Sequence, residues 1–143
     1  MPSIDEILRL REIAPATFRA APVPTEMERT FGGQVAGQAL AAAARTVPQE
    51  FGVHSVHGHF LRPGRPLEPA DYHVDAVRDG GSFRTRYVTA VQDGETVFTL
   101  TASFHRGDDG HTHQAAMPPT TGPEEVTENG RPWAAWYDFP EWD

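Results

Sequence analysis

Four residues in one short stretch, His54, Ser55, His57 and His59, are the first candidates for chemistry. On a strand, the period of two places Ser55, His57 and His59 on one face, where a Ser–His pair or a metal site is conceivable. A nucleophile elbow needs its Ser on a sharp turn and a third group orienting the base, and neither is visible. A zinc site built from same-strand histidines plus a distant ligand is equally unsupported. Structural or solvent-facing histidines are the reading this stretch favours, and His105, His111 and His113 read as solvent or linker features.

A second candidate is Phe31-Gly32-Gly33, which opens an apolar helix without a conventional side-chain cap and so leaves backbone N–H groups for another partner. Such groups, backed by the helix dipole, suit negative charge developing on a carbonyl oxygen. The alternative is that the two glycines only let helix and sheet approach closely. Gln34 and Gln38 sit on the same helix, where a buried amide needs partners; a second polypeptide half and a substrate both qualify. Arg62, Arg65, Arg84 and Arg86 could meet phosphates by bidentate pairing, or form a solvated strand face.

The elements that would position these groups follow from periodicity. Ser3-Ile4-Asp5-Glu6 satisfies the capping box, and Ile4, Ile7, Leu8 and Leu10 recur at helical spacing, predicting a short helical arm to about Ile13. Residues 16–21 read as a first strand. Residues 33–46, almost all small or apolar and ended by Pro48, predict a helix enclosed on most sides. From His54 the period becomes two, with strands at 54–61, 72–79, 82–92 and 95–106 and turns at Asp79-Gly80-Gly81-Ser82 and Gln92-Asp93-Gly94-Glu95. Val97, Thr99, Thr101 and Ser103 alternate with Phe98, Leu100, Ala102 and Phe104, so one face is apolar and the other largely hydroxyl-bearing. Helix 33–46 is the one element long enough to cover that apolar face. The expected fold class is therefore α+β, a curved antiparallel sheet wrapped around one central helix.

Composition removes several alternatives. The 143 residues contain no Cys, which excludes thiol nucleophiles, Cys-ligated metals and disulfide scaffolds, and fits a reducing, cytoplasmic compartment. All 12 basic residues are Arg, so there is no Schiff-base or Walker-type lysine. Residues 1–107 hold 12 acids and 11 Arg (net −1), whereas 108–143 hold 8 acids and one Arg (net −7). No basic cluster stands out, which argues against nucleic acid as a partner. No window is apolar enough for a membrane span or a secretory signal. The expected organisation is a domain over 1–107 with its N-terminal helical arm, then an acidic Pro/Gly-rich linker or tail over 108–143 ending in Trp133, Trp136, Tyr137, Phe139 and Trp142.

Four motifs occur in a specific order: FGGQ-x-x-GQAL at 31–40, HS-x-H-x-x-FLRPG at 54–64, RDG-x-SF at 78–83 and TASF at 101–104. In this order the chain resembles the first half of the acyl-CoA thioesterase II family over about residues 3–119. The resemblance implies the hotdog fold, two copies of which are fused in family members about twice this length. It implies acyl-CoA as substrate and hydrolysis to fatty acid and coenzyme A by water, with no metal and no cofactor. It also implies that the catalytic Asp, Thr and Gln lie in the second hotdog. Aligning the two repeats puts Ser55 and Ser103 near the Asp and Gln positions, and a serine replaces neither group. The resemblance keeps His57, from the HS-x-H motif, and Ser55 as the catalytic candidates here, and Gly32, Gly33, Gln34, Arg62 and Ser82 as substrate-binding positions. The expectation is one hotdog half, truncated or encoded separately, inactive without a second half and at least dimeric through its sheet edge. The rivals are a non-catalytic acyl-CoA-binding or assembly domain and a hotdog hydratase or dehydratase. The latter needs a His and an Asp or Glu beside the central helix, and residues 33–46 contain none of these.

Overall fold

The capping box at the amino end forms as expected: Ser3 N donates to Glu6 Oε2 (2.8 Å) and Glu6 N to Ser3 Oγ (3.3 Å). The helix it starts, α1, is only one turn, Ile4–Ile7. The computed structural model describes residues 3–122, 127–128 and 131–132. Where the spacing predicted more helix, Leu10–Ala14 is a strand, β1, paired antiparallel with β2, Thr17–Ala20. The turn between them uses Pro15 and Ala16, the latter at φ 52°, a conformation few side chains adopt.

The helix expected at 33–46 is α2, Gly32–Ala44, and its buried residues Val35, Gln38, Ala39, Ala42 and Ala43 repeat at the spacing of one helical face. Strands β3 (Gly52–Phe60), β4 (Ala70–Asp79), β5 (Phe83–Gln92) and β6 (Glu95–His105) follow. With β1 and β2 they form one antiparallel sheet in the order β1-β2-β4-β5-β6-β3, and α2 touches every strand. Phe98, Leu100, Ala102 and Phe104 of β6 are buried against the helix side, while Thr99 and Ser103 are half-buried and Thr101 is exposed, as the alternation predicted; Val97, expected with the hydroxyl-bearing set, is instead buried at the start of the strand. Each buried Leu or Phe is worth about 1.5–3 kcal/mol, so this layer carries the fold. The enclosure of α2 is one-sided: Ala36, Leu40 and Ala41 are half-buried and Gly33 and Ala44 exposed.

The Arg19–Asp71 fork, with Nε and Nη2 each 2.6 Å from a carboxylate oxygen, ties β2 to β4. The hydrogen bonds from Arg19 hold the Asp71 carboxyl below its ordinary value, against the opposing effect of burial. Asp79 is lowered in the same way by Arg84 and Arg86. A carboxyl lowered in the folded state contributes stability that is present above its unfolded pKa and lost as pH falls through the folded one. The urea midpoint should accordingly drop below about pH 4. Asp71→Asn should be less stable than the parent at pH 7 and lose less stability between pH 5 and 3; parallel pH profiles would exclude the fork as a contributor.

β3 is an edge strand whose residues are all exposed. Its inner face, Val56, Gly58 and Phe60, lies opposite Ala102, Leu100 and Phe98, and its outer face, Ser55, His57 and His59, opposite Ser103, Thr101 and Thr99. A Cβ on Gly58 would sit 2.5 Å from Cζ of Phe98, a ring that also packs on Phe60 with centroids 4.6 Å apart. Gly58→Ala should therefore cost about 1–3 kcal/mol by overpacking, and Phe98→Leu in the same chain should recover part of that cost in a thermal melt.

The described residues up to Asp108 form one compact unit and those from Asp109 a second. In the second, residues 109–122 have no helix or strand, and β7 (Thr127–Glu128) pairs with β8 (Arg131–Pro132). The aromatic cluster Trp133 to Trp142 lies outside the described residues.

Candidate active site

The start of α2 and the end of β3 meet at one place. Leu61 N and Arg62 N both donate to Val97 O (2.9 and 3.2 Å), which ends β3 and turns the chain into Pro63-Gly64. Thr30 N then donates to Gly64 O (2.9 Å), tying the segment before α2 to this turn. A Cβ on Gly64 would lie 3.0 Å from Thr30 Cβ and Oγ1, so the approach depends on glycine. Thr30 Oγ1 is buried there without a hydrogen-bond partner among the described residues.

Between these segments lies an open groove of about 340 Å³, lined by residues that include Thr30, Gly32, Val35, Phe60, Leu61 and Arg62. No side chain caps α2, so the first-turn amides of Gly32 and Gly33 have no partner within the helix. The Phe60 ring stands 3.2 Å from where a Gly32 Cβ would be and forms an apolar wall. Arg62 Nη1 donates to Thr96 O (2.8 Å), with Nε 3.5 Å from Glu95, and half of its side chain stays exposed. The groove offers Phe60 and Leu61 as apolar lining beside the uncapped start of α2 at Gly32.

The structure thus brings Gly32 and Arg62 to one groove, with Gly33 and Gln34 following Gly32 on α2, and places Ser82, Ser55 and His57 elsewhere. Gln34 is half-buried and borders a small recess beside Gln38 and Tyr72 that shares Thr30 and Val35 with the groove. Ser82 lines a different groove of about 650 Å³, with Arg78, Gly80, Gly81, Phe83 and Ser103. Its carbonyl accepts from Arg106 N, whereas Arg62 reaches Thr96. Ten residues of extended chain, about 33 Å at ~3.3 Å per residue, separate those two anchors. Ser55 and His57 lie on the outer face of β3, away from the groove.

Most of the remaining arginines have partners inside the chain. Arg84 meets Asp79 at 2.8 Å and lies over the Phe51 ring, Arg86 is 2% exposed, and Arg65 donates to Glu68 (2.7 Å). Arg84 and Arg86 are therefore poorly placed for an external phosphate. Gln38 is also satisfied internally: Tyr72 OH donates to its Oε1 (2.7 Å) and its Nε2 donates to Ile7 O (2.7 Å), which docks α1 and leaves no amide group for substrate. Burial pushes the Tyr72 hydroxyl pKa upward, so it remains a donor. Sequence reasoning missed Gln92, whose amide accepts from Arg65 N (2.8 Å) and donates to Arg65 O and Glu68 O (2.9 and 3.0 Å), holding the loop behind the groove. The available signal was its period-two position with Val88 and Ala90 just before the Asp93-Gly94 turn.

A family model described as the acyl-CoA thioesterase N-terminal domain matches residues 19–105. The chain belongs to this family. Among curated members, acyl-coenzyme A thioesterase 8 of Rattus norvegicus is 45% identical over 108 residues, covering 75% of this chain and 33% of the relative. Among solved structures, the acyl-CoA thioesterase II TesB2 of Mycobacterium marinum has 45% identity and a TM-score of 0.78, covering 89% of this chain and 48% of that one. A conserved protein with hot dog fold from Alicyclobacillus acidocaldarius has 27% identity and a TM-score of 0.70, covering 95% and 53%. The sheet around α2 is accordingly the hotdog fold, and the chain spans only a third to about half of these relatives.

Proposed function

We propose that residues 1–107 are the first hotdog half of an acyl-CoA thioesterase, which hydrolyses a fatty acyl-CoA with water to the free acid and coenzyme A. The family match over residues 19–105 carries this reading. Two structural facts support it: the start of α2, which has no side-chain cap, borders the groove at Gly32, and the inner face of edge strand β3 leaves Val56 and Phe60 52% and 62% exposed. A second hotdog pairing along β3 would cover that face and bring the water-activating residues this half lacks. Among the described residues no helix is long and apolar enough to cross a membrane, and the cytoplasmic placement rests on the Cys-free composition.

The test is release of coenzyme A thiol from palmitoyl-CoA, read cleanly by a thiol reagent because the chain has no Cys. The chain alone should release no more than buffer, and adding the second-hotdog polypeptide of a relative should restore turnover. Rapid hydrolysis by the lone chain would overturn the half-enzyme reading. The non-catalytic rival is favoured if acyl-CoA binds in equilibrium dialysis yet no turnover follows the addition. The hydratase reading has no support in α2, which carries no His, Asp or Glu.

A further inference from the structure

We propose that Gln92, at the end of β5, is a positioning residue for the groove: its amide sets the loop 61–68, whose Gly64 in turn sets Thr30 and the start of α2. The consequence for catalysis rests on the thioesterase reading; the positioning rests on geometry alone. Period two puts Gln92 on the inward face of β5 with Val88 and Ala90, and it is 4% exposed. An apolar side chain would need no partners there, whereas a buried amide needs them at both of its ends. Gln92 finds them in one backbone segment. Oε1 accepts from Arg65 N (2.8 Å), and Nε2 donates to Arg65 O (2.9 Å) and Glu68 O (3.0 Å). Arg65 tightens the same turn, accepting Glu68 N at its carbonyl (3.3 Å) and donating from Nε to Glu68 Oε2 (2.7 Å). The other end of the loop is fixed by Val97 O, which accepts Leu61 N and Arg62 N (2.9 and 3.2 Å).

Gly64 lies between these two anchors and passes the constraint on. Its carbonyl accepts from Thr30 N (2.9 Å), and a Cβ there would stand 3.0 Å from Thr30 Oγ1 and 3.5 Å from Gln92 Oε1, so the three residues meet with little room. Thr30 precedes Phe31, the N-cap of α2, whose carbonyl accepts from Gln34 N and Val35 N (3.1 and 3.3 Å). Thr30, Gly32 and Val35 line the groove from one segment and residues 60–64 from the other, and Gln92 is not among the lining residues. Its influence therefore passes through the loop. Releasing Gly64 loosens both segments at once.

The experiment combines amide hydrogen exchange of the full chain, followed by NMR, with palmitoyl-CoA turnover after complementation. Gln92→Met keeps the length of the side chain and loses every amide bond. In this variant Thr30 N should exchange ~10-fold faster relative to Gly80 N, which donates to Phe83 O (2.9 Å) at the other end of β5. A merely global loss of stability would speed both amides alike. In the complemented enzyme kcat should fall ~10–100-fold with KM little changed, the pattern of a misplaced group that acts in the transition state. Asp79→Asn, which weakens the β4–β5 hairpin at its far end, should keep the parent's kcat. Equal acceleration of the two amides would overturn the proposal, as would a Gln92→Met enzyme with the parent's kcat or one no slower than Asp79→Asn. If the complemented parent itself fails to turn over, the thioesterase reading falls while the exchange ratio still decides the positioning. Gln92→Glu, which keeps an acceptor for Arg65 N and loses both donors, should shift the same ratio in the same direction and replaces the Met variant if that one does not fold. In the parent, the Gln92 Nε2 protons and Thr30 N should be exposed by one opening and respond alike to urea; unlike responses would overturn the link with no variant made.

Discussion

Arg86→Ala is expected to lower the unfolding free energy by about 3 kcal/mol, within the range for breaking a buried charged network. The residue is 2% exposed, and its five N–H donors meet five acceptors. Nε donates to Thr46 Oγ1 (2.8 Å), Nη2 to Thr46 O (2.9 Å) and Asp79 Oδ1 (2.7 Å), and Nη1 to Arg78 O (3.2 Å) and Thr85 O (3.0 Å). One residue thus clamps the carboxyl-terminal end of α2, where the helix dipole favours a cation, to the β4–β5 hairpin. Truncation leaves a void and deprives interior carbonyls of donors. The ion pair itself matters less, because Asp79 is half-exposed and keeps Arg84 as a partner. Three variants separate these terms. Arg86→Met keeps the stem volume and should recover the packing share only; Arg86→Lys keeps the charge but not the fork and should still fall well short of the parent; Asp79→Asn should be milder than either. Urea midpoints at constant m-value provide the measurement, and a loss under about 1 kcal/mol for Arg86→Ala would show that the clamp is idle.

The same residue shows what the sequence made legible. Alternation along β5 puts Arg86 on the face of Val88 and Ala90, so an inward guanidinium could be read from spacing, while its acceptors, the Thr46 carbonyl above all, belong to a segment forty residues away. Helix α2, the β4–β5–β6 meander and the two faces of β6 were readable because each depends on local period and composition. The β1–β2 hairpin was not, because its turn places Ala16 at positive φ where Gly or Asn would have announced it, and because the capping box before it correctly signalled a helix of unknown length. The sheet order was also hidden: β3 pairs with β6 rather than β4, a long-range choice that no local pattern encodes. At the site, the FGGQ and LRPG motifs each pointed to a position, and only the Thr30–Gly64 bond shows that they form one groove. Ser82 came from an equally good motif and lies at the far end of β6, because a motif marks a constraint on the chain without saying which other constraint it serves.

Gly32→Val should leave the fold nearly as stable as the parent and lower kcat/KM of the complemented enzyme by ~100-fold, the size of effect that a misplaced reacting group produces. Stability should hold because Gly is the poorer helix former, and because the atoms nearest a new Cβ, Cε1 and Cζ of Phe60 at 3.2 Å, belong to a residue that is 62% exposed and so has room to give on its solvent side while it stays against Phe98. The groove has no such freedom. The added methyls enter the groove at Gly32, and the displaced Phe60 ring moves the wall against which the acyl chain would lie. Gly32→Ala should fall between, since its single methyl asks the ring to give only a few tenths of an ångström. Gly81→Ala is the control: nothing lies within 4 Å of its Cβ, and it lines the other groove beside Ser82. If Gly32→Val turns over palmitoyl-CoA like the parent, the uncapped end of α2 does not face the reacting carbonyl. If Gly81→Ala is the variant that loses activity with its melt unchanged, the second groove is the substrate site, and Ser82 rather than Gly32 marks it.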